Sequence, residues 1–104
     1  MRLENKVAVI TGAAGGIGRE TCLLFAEQGA KVLAVDINEK DGAETIQKIQ
    51  AKNGHALFVK ADVSKTADCK NMIDTALEQY GKLDILFNNA GIMHSNDDDA
   101  VNTD

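Results

Sequence analysis

The stretch that most constrains this chain is residues 6–18, Lys-Val-Ala-Val-Ile-Thr-Gly-Ala-Ala-Gly-Gly-Ile-Gly, where an apolar, β-branched run passes through glycines into a helix-type pattern. A strand end is thereby brought straight to a helix start. The first helical N–H groups then have no intrahelical acceptor, and the positive end of the helix dipole points above the loop. The local sequence suits a phosphate cradle, although a glycine-rich turn with no ligand would look the same.

The pattern repeats along the chain. Residues 7–10 are continuously apolar, as expected of a strand covered on both faces of a parallel sheet. Ile17, Thr21, Leu24 and Phe25 recur at helical spacing and predict the helix face that meets the sheet, with Gly29 as its stop. Residues 31–35 predict a second strand ending at Asp36, and Asn38 can cap a helix with Ala43, Ile46 and Ile49 along one side, closed by Asn53-Gly54. A third strand is expected over 56–59. Ser64 is then a candidate cap for a helix whose stripe of Cys69, Met72, Ile73, Ala76, Leu77 and Tyr80 predicts core. A fourth strand is expected over 83–87, followed by Asn88-Asn89-Ala90-Gly91. Alternating strands and helices with right-handed crossovers imply an α/β, doubly wound parallel sheet in the order 3-2-1-4. All four strand ends then open on one edge.

Gly12, Gly15, Gly16 and Gly18 do not fit G-x-G-x-x-G. Thr11-Gly12-Ala13-Ala14-Gly15-Gly16-Ile17-Gly18 instead matches T-G-x-x-x-G-x-G, and with Asn88-Asn89-Ala90-Gly91 the chain resembles the short-chain dehydrogenase/reductase family over its first 92 residues. The resemblance implies a Rossmann-type fold, an NAD(P) coenzyme and hydride transfer to or from an alcohol or carbonyl. It implies that Gly12, Ala14, Gly15, Gly16, Ile17 and Gly18 hold the coenzyme, with Gly12 making the turn, Gly16 approached by the pyrophosphate and Gly18 packing the helix. Asp36 stands where such folds place the acid that reads the adenosine ribose, with Ile37 beside it. A carboxylate there repels a 2′-phosphate, and the position before the second motif glycine holds Gly15 where NADP-preferring relatives commonly carry a basic residue, so NAD is expected. By the same resemblance Asp62 receives the adenine amine and Val63 covers the ring. Asn89, Ala90 and Gly91 face the ribose and nicotinamide half, with Asn88 structural.

The family's proton-transfer pattern is Tyr-x-x-x-Lys, and no such pattern occurs here: the residue four past Tyr80 is Asp84. No catalytic residue is therefore assigned. Residues 1–92 are expected to form the coenzyme-binding part and 93–104, with three consecutive aspartates, an acidic loop or tail cut before a catalytic half. The expected consequence is coenzyme binding without turnover. The competing expectation is a non-catalytic dinucleotide-binding or interaction module that pairs, with a second copy or a partner, through the open edge of the fourth strand.

Charge and composition narrow the partners further. The net charge of −5 opposes non-specific attraction to nucleic acid or anionic lipid. No apolar run approaches the about 20 residues a spanning helix needs, and the first strand follows the N-terminus too closely for a signal peptide, so a cytoplasmic location is expected. Cys22 and Cys69 lack CxxC spacing and read as small buried thiols. His55 reads as a surface residue, and His94 with its neighbouring acids as a solvated loop rather than a metal site.

Overall fold

A computed structural model of the chain describes residues 2–89. Strands β1 (Val7–Thr11), β2 (Lys31–Asp36), β3 (His55–Lys60) and β4 (Ile85–Asn88) alternate with helices α1 (Gly16–Glu27), α2 (Glu39–Gln50) and α3 (Thr66–Tyr80). They form one parallel sheet in the order β3-β2-β1-β4, as the pattern predicts. The chain is a Rossmann-type doubly wound α/β fold.

Alternation along the strands divides the core into two layers. Ala8 and Ile10 of β1, with Val32 and Ala34 of β2, face Cys22 of α1 and Ile49 of α2. On the other face Val9, Leu33 and Val35 meet Met72 and Ala76 of α3. β1 and the interior of β2 are buried on both sides, which is why their sequences are unbroken apolar runs.

Three helix faces differ from expectation. In α1 the inward residues are Gly18 and Cys22, flanked by the partly buried Leu23, Phe25 and Ala26, whereas Ile17 and Leu24 are 69% and 53% exposed. The cause is Gly18, where a Cβ would collide with the Gly12 carbonyl. Backbone contact at that point fixes the rotation of the helix, and Cys22 and Phe25 follow at helical spacing. In α2 Gly42 and Thr45 point inward with Ile49, and Ala43 is exposed. The Phe58 ring occupies the place of a side chain at Gly42. In α3 Leu77 is 47% exposed, so the predicted stripe is buried only at Met72 and Ala76 and half-buried at Cys69, Ile73 and Tyr80.

Two local assignments also change. Ser64 does not cap α3, because the Asp62 carboxylate accepts from both its backbone N–H (3.0 Å) and its hydroxyl (2.6 Å) in a tight turn. Lys65 is the N-cap residue, and Asp68 in the first turn reaches back to accept from the Asp62 N–H at 2.8 Å. β4 begins at Ile85 rather than residue 83. Asp84 instead closes a loop with Val7, its N–H donating to the Val7 carbonyl and its carboxylate accepting the Val7 N–H at 2.8 Å. Asn38 caps α2 as expected, accepting from the Asp41 N–H at 3.0 Å.

Candidate coenzyme site

Parallel pairing puts the carboxyl ends of all four strands on one edge. β1 runs from Val7 to Thr11 and turns at once into Gly12, whose φ of 66° is left-handed and favours glycine. Ala13 and Ala14 are buried beneath the turn, and Gly15 opens α1 in extended conformation. Arg19 N–H makes the first helical bond, to the Gly15 carbonyl at 3.4 Å, and no side chain among the described residues caps the helix. The amides of Gly16, Ile17 and Gly18 are therefore the ones an anion can take.

Among the described residues, space above the loop is open: a Cβ added to Gly15 or Gly16 would meet none of their atoms within 4 Å. Gly16 has a left-handed φ of 56°, but Gly15 has an extended backbone that any residue adopts. Packing gives no reason for glycine at Gly15, and close approach by a ligand does. On this ground the loop fits a pyrophosphate-bearing coenzyme.

The other strand ends are tied to that loop by hydrogen bonds. The Ala13 N–H donates to the Val35 carbonyl (3.1 Å), and the Ala14 N–H to Asp36 Oδ2 (3.0 Å). Asp36 Oδ1 accepts the Asn38 N–H at 2.8 Å, and the Ala61 N–H donates to the Asp36 carbonyl. On the β4 side Thr11 Oγ1 donates to Asn88 Oδ1 (2.7 Å) and accepts the Asn89 N–H (2.9 Å). The Asn89 amide lies 3.5 Å from the Gly12 carbonyl, behind the turn. The glycine loop, Asp36, Asp62 and Asn89 are thus brought to one edge. Ile37 is exposed beside Asp36 and Val63 is buried beside Asp62. Ala90 and Gly91 lie outside the described residues.

Asp62 is held ionised: the Ser64 hydroxyl, then its backbone N–H, lower the carboxyl pKa below the ordinary value. A carboxylate so engaged keeps lone pairs for another donor. Burial raises the Tyr80 phenol, the opposite of what a proton-transfer tyrosine needs. A concavity of about 640 Å³ bordered by Leu23, Ala30, Ile49 and His55 opens at the amino edge, remote from the loop. Among the described residues no group of three His, Cys, Asp or Glu could hold a metal ion, and no helix is long and apolar enough to cross a membrane.

Two residues that sequence patterning passes over, Arg19 and Thr45, also belong to the site. Thr45 is fully buried in α2 and donates to the Ala13 carbonyl at 2.8 Å. Arg19 donates through Nε to Thr45 Oγ1 (2.9 Å), and through Nη2 to the carbonyls of Ala14 (2.8 Å) and Asp41 (2.9 Å). Its Nη1 pairs with Glu44 at 3.0 Å. The available signal was Thr45 lying four residues before Ile49, on the inward face.

A doubly wound sheet with a glycine loop entering a helix at its carboxyl edge defines the Rossmann class of coenzyme domain. The chain belongs to the short-chain dehydrogenase family, whose model matches residues 6–104; members of this oxidoreductase family bind NAD(H) or NADP(H). It is 43% identical over all 104 residues to an uncharacterized oxidoreductase of Listeria monocytogenes, of which it covers 42%. Among solved structures it is similar to a hydroxysteroid dehydrogenase from Escherichia coli (38% identity, TM-score 0.82, 84% of this chain and 37% of that one). A 7α-hydroxysteroid dehydrogenase complexed with NADH and 7-oxo glycochenodeoxycholic acid is similar at 38% identity and TM-score 0.80, with 82% of this chain and 33% of that one covered. The chain spans between about a third and two fifths of the length of these relatives.

Proposed function

We propose that this chain is the NAD-binding part, residues 1–92, of a short-chain oxidoreductase that transfers hydride between NAD(H) and an alcohol or carbonyl substrate. The observation that supports this most directly is the bond between the Asp36 carboxylate and the Ala14 N–H, which joins an acid at the tip of β2 to the loop after β1. Bound NAD supplies the hydride acceptor, and NADH the donor. In this reading the amides at the start of α1 hold the pyrophosphate, and Asp36 and Ile37 the adenosine ribose. Asp62 and Val63 hold the adenine, and Asn89, Ala90 and Gly91 line the half toward the nicotinamide. A carboxylate at Asp36 disfavours a ribose 2′-phosphate by charge, which selects NAD over NADP.

The residues present bind and orient. None of them forms the family's Tyr-x-x-x-Lys, so the 104-residue chain binds coenzyme without turnover; the cytoplasm is its proposed location. Titrating the purified chain with NADH and NADPH tests the reading by fluorescence or calorimetry. Saturable NADH binding with weaker NADPH binding is expected, and no saturation by either coenzyme would refute it. NADH oxidation by the chain alone with a carbonyl substrate would overturn the claim that it cannot turn over.

A second reading is favoured by the edge of the sheet. β4 is the terminal strand in the described order, and Leu86 on it is 42% exposed. A chain acting as a binding module would self-associate there as a defined dimer. Light scattering after size exclusion distinguishes a single dimeric species from a monomer or polydisperse aggregate.

A further inference from the structure

Starting from Asp36, hydrogen bonds run around a closed ring. Its Oδ2 accepts the Ala14 N–H. The Ala13 and Ala14 carbonyls accept from Thr45 and Arg19 respectively, Arg19 also donates to the Asp41 carbonyl, and the Asp41 N–H donates to Asn38. The Asn38 N–H returns to Asp36 Oδ1. Both N–H groups and both carbonyls of Ala13-Ala14 thus have protein partners, the Ala13 N–H through the Val35 carbonyl. Each of these four backbone groups is thereby held by the protein itself. The segment is the spacer between the amides that open α1 and the carboxylate of Asp36, and Thr45 and Arg19 are bonded to its two carbonyls.

We infer that Arg19 and Thr45 are positioning residues that hold the phosphate-binding amides and Asp36 at the separation a dinucleotide spans. The inference rests on the coenzyme reading above. Thr45 is suited to the task because its single hydroxyl both accepts from Arg19 and donates to the loop while wholly shielded from water. Arg19 is suited because its planar fork reaches the loop carbonyl, the α2 backbone and Thr45 at once. A ligand touching both ends of the spacer should feel its loosening. One touching a single end should not.

The test uses Thr45→Val, Thr45→Ser and Arg19→Gln in the full 104-residue chain. Amide hydrogen exchange at Ala14 is expected to quicken about tenfold in Thr45→Val and Arg19→Gln, with the β1 and β2 amides unchanged and protection restored in Thr45→Ser. The NADH dissociation constant should rise about tenfold in the same two variants, and that of adenosine less than about twofold. Equal weakening of NADH and adenosine, or Ala14 exchange unchanged in both variants, would overturn the inference. Should Thr45→Val fail to fold, the surface-reaching Arg19→Gln carries the same comparison. If the unsubstituted chain binds neither nucleotide, the coenzyme reading fails; the ring is then upheld by quickened Ala14 exchange and refuted by unchanged exchange.

Discussion

The Asp36 carboxylate accepts the Ala14 N–H at 3.0 Å across 22 residues of sequence, which ties the tip of β2 to the turn after β1. Asp36→Ala removes this acceptor and leaves the buried Ala14 amide without it. The expected loss of stability is about 1–3 kcal/mol by urea unfolding, together with weaker NADH binding and a narrower preference for NADH over NADPH. An unchanged coenzyme ratio would remove Asp36 as the ribose reader.

Gly15 and Gly18 should separate binding from folding. A side chain at Gly15 enters open space on an extended backbone, whereas at Gly18 it strikes the Gly12 carbonyl. Gly15→Ala is expected to change stability by less than about 0.5 kcal/mol while weakening NADH binding several-fold. Gly18→Ala should cost about 1–3 kcal/mol in unfolding free energy, as overpacking against backbone does. Equal midpoints for the two variants in urea would contradict the close contact between α1 and the turn.

Acid sensitivity should trace in part to Asp84. The Val7 N–H bonded to its carboxylate lowers the pKa below the ordinary 3.8, and Lys82 acts in the same direction. A group with a depressed folded-state pKa stabilises the native chain above the unfolded value, and that stability is lost as pH falls through the folded one. The unfolding midpoint of the parent chain should therefore exceed that of Asp84→Asn by a margin that holds above about pH 5 and shrinks as pH falls through the ordinary 3.8 and then the lower folded value. A margin independent of pH would show that the ionised form is not what Val7 selects.

The two thiols should be unequal. Burial pushes the Cys22 thiol up to about 12. Cys69 is raised by burial first and then by Asp68 and Asp62, but is only half-buried, with its sulfur 3.2 Å from the Val63 carbonyl. Since the thiolate is the nucleophile, a disulfide reagent at neutral pH should label Cys69 slowly and leave Cys22 untouched until the chain unfolds. Mass spectrometry of native and urea-treated chain reads the order, and simultaneous labelling of both would contradict it.

The sequence alone determined the alternation of strand and helix, the parallel order β3-β2-β1-β4 and the meeting of the four strand ends on one edge. These follow from continuous apolar runs, glycine stops and the handedness of crossovers, all of which are local or topological. Asn38 as a cap was legible for the same reason, its partner being three residues away. Tertiary structure decided which face of each helix turns inward: the contact of Gly18 with Gly12 rotates α1, and the Phe58 ring against Gly42 sets α2. It also decided that Asp62 holds Ser64 in a turn, and that Arg19 and Thr45 fasten the loop. A hydrogen bond between residues distant in sequence leaves no periodic trace, because its partners meet only once the sheet has brought them together.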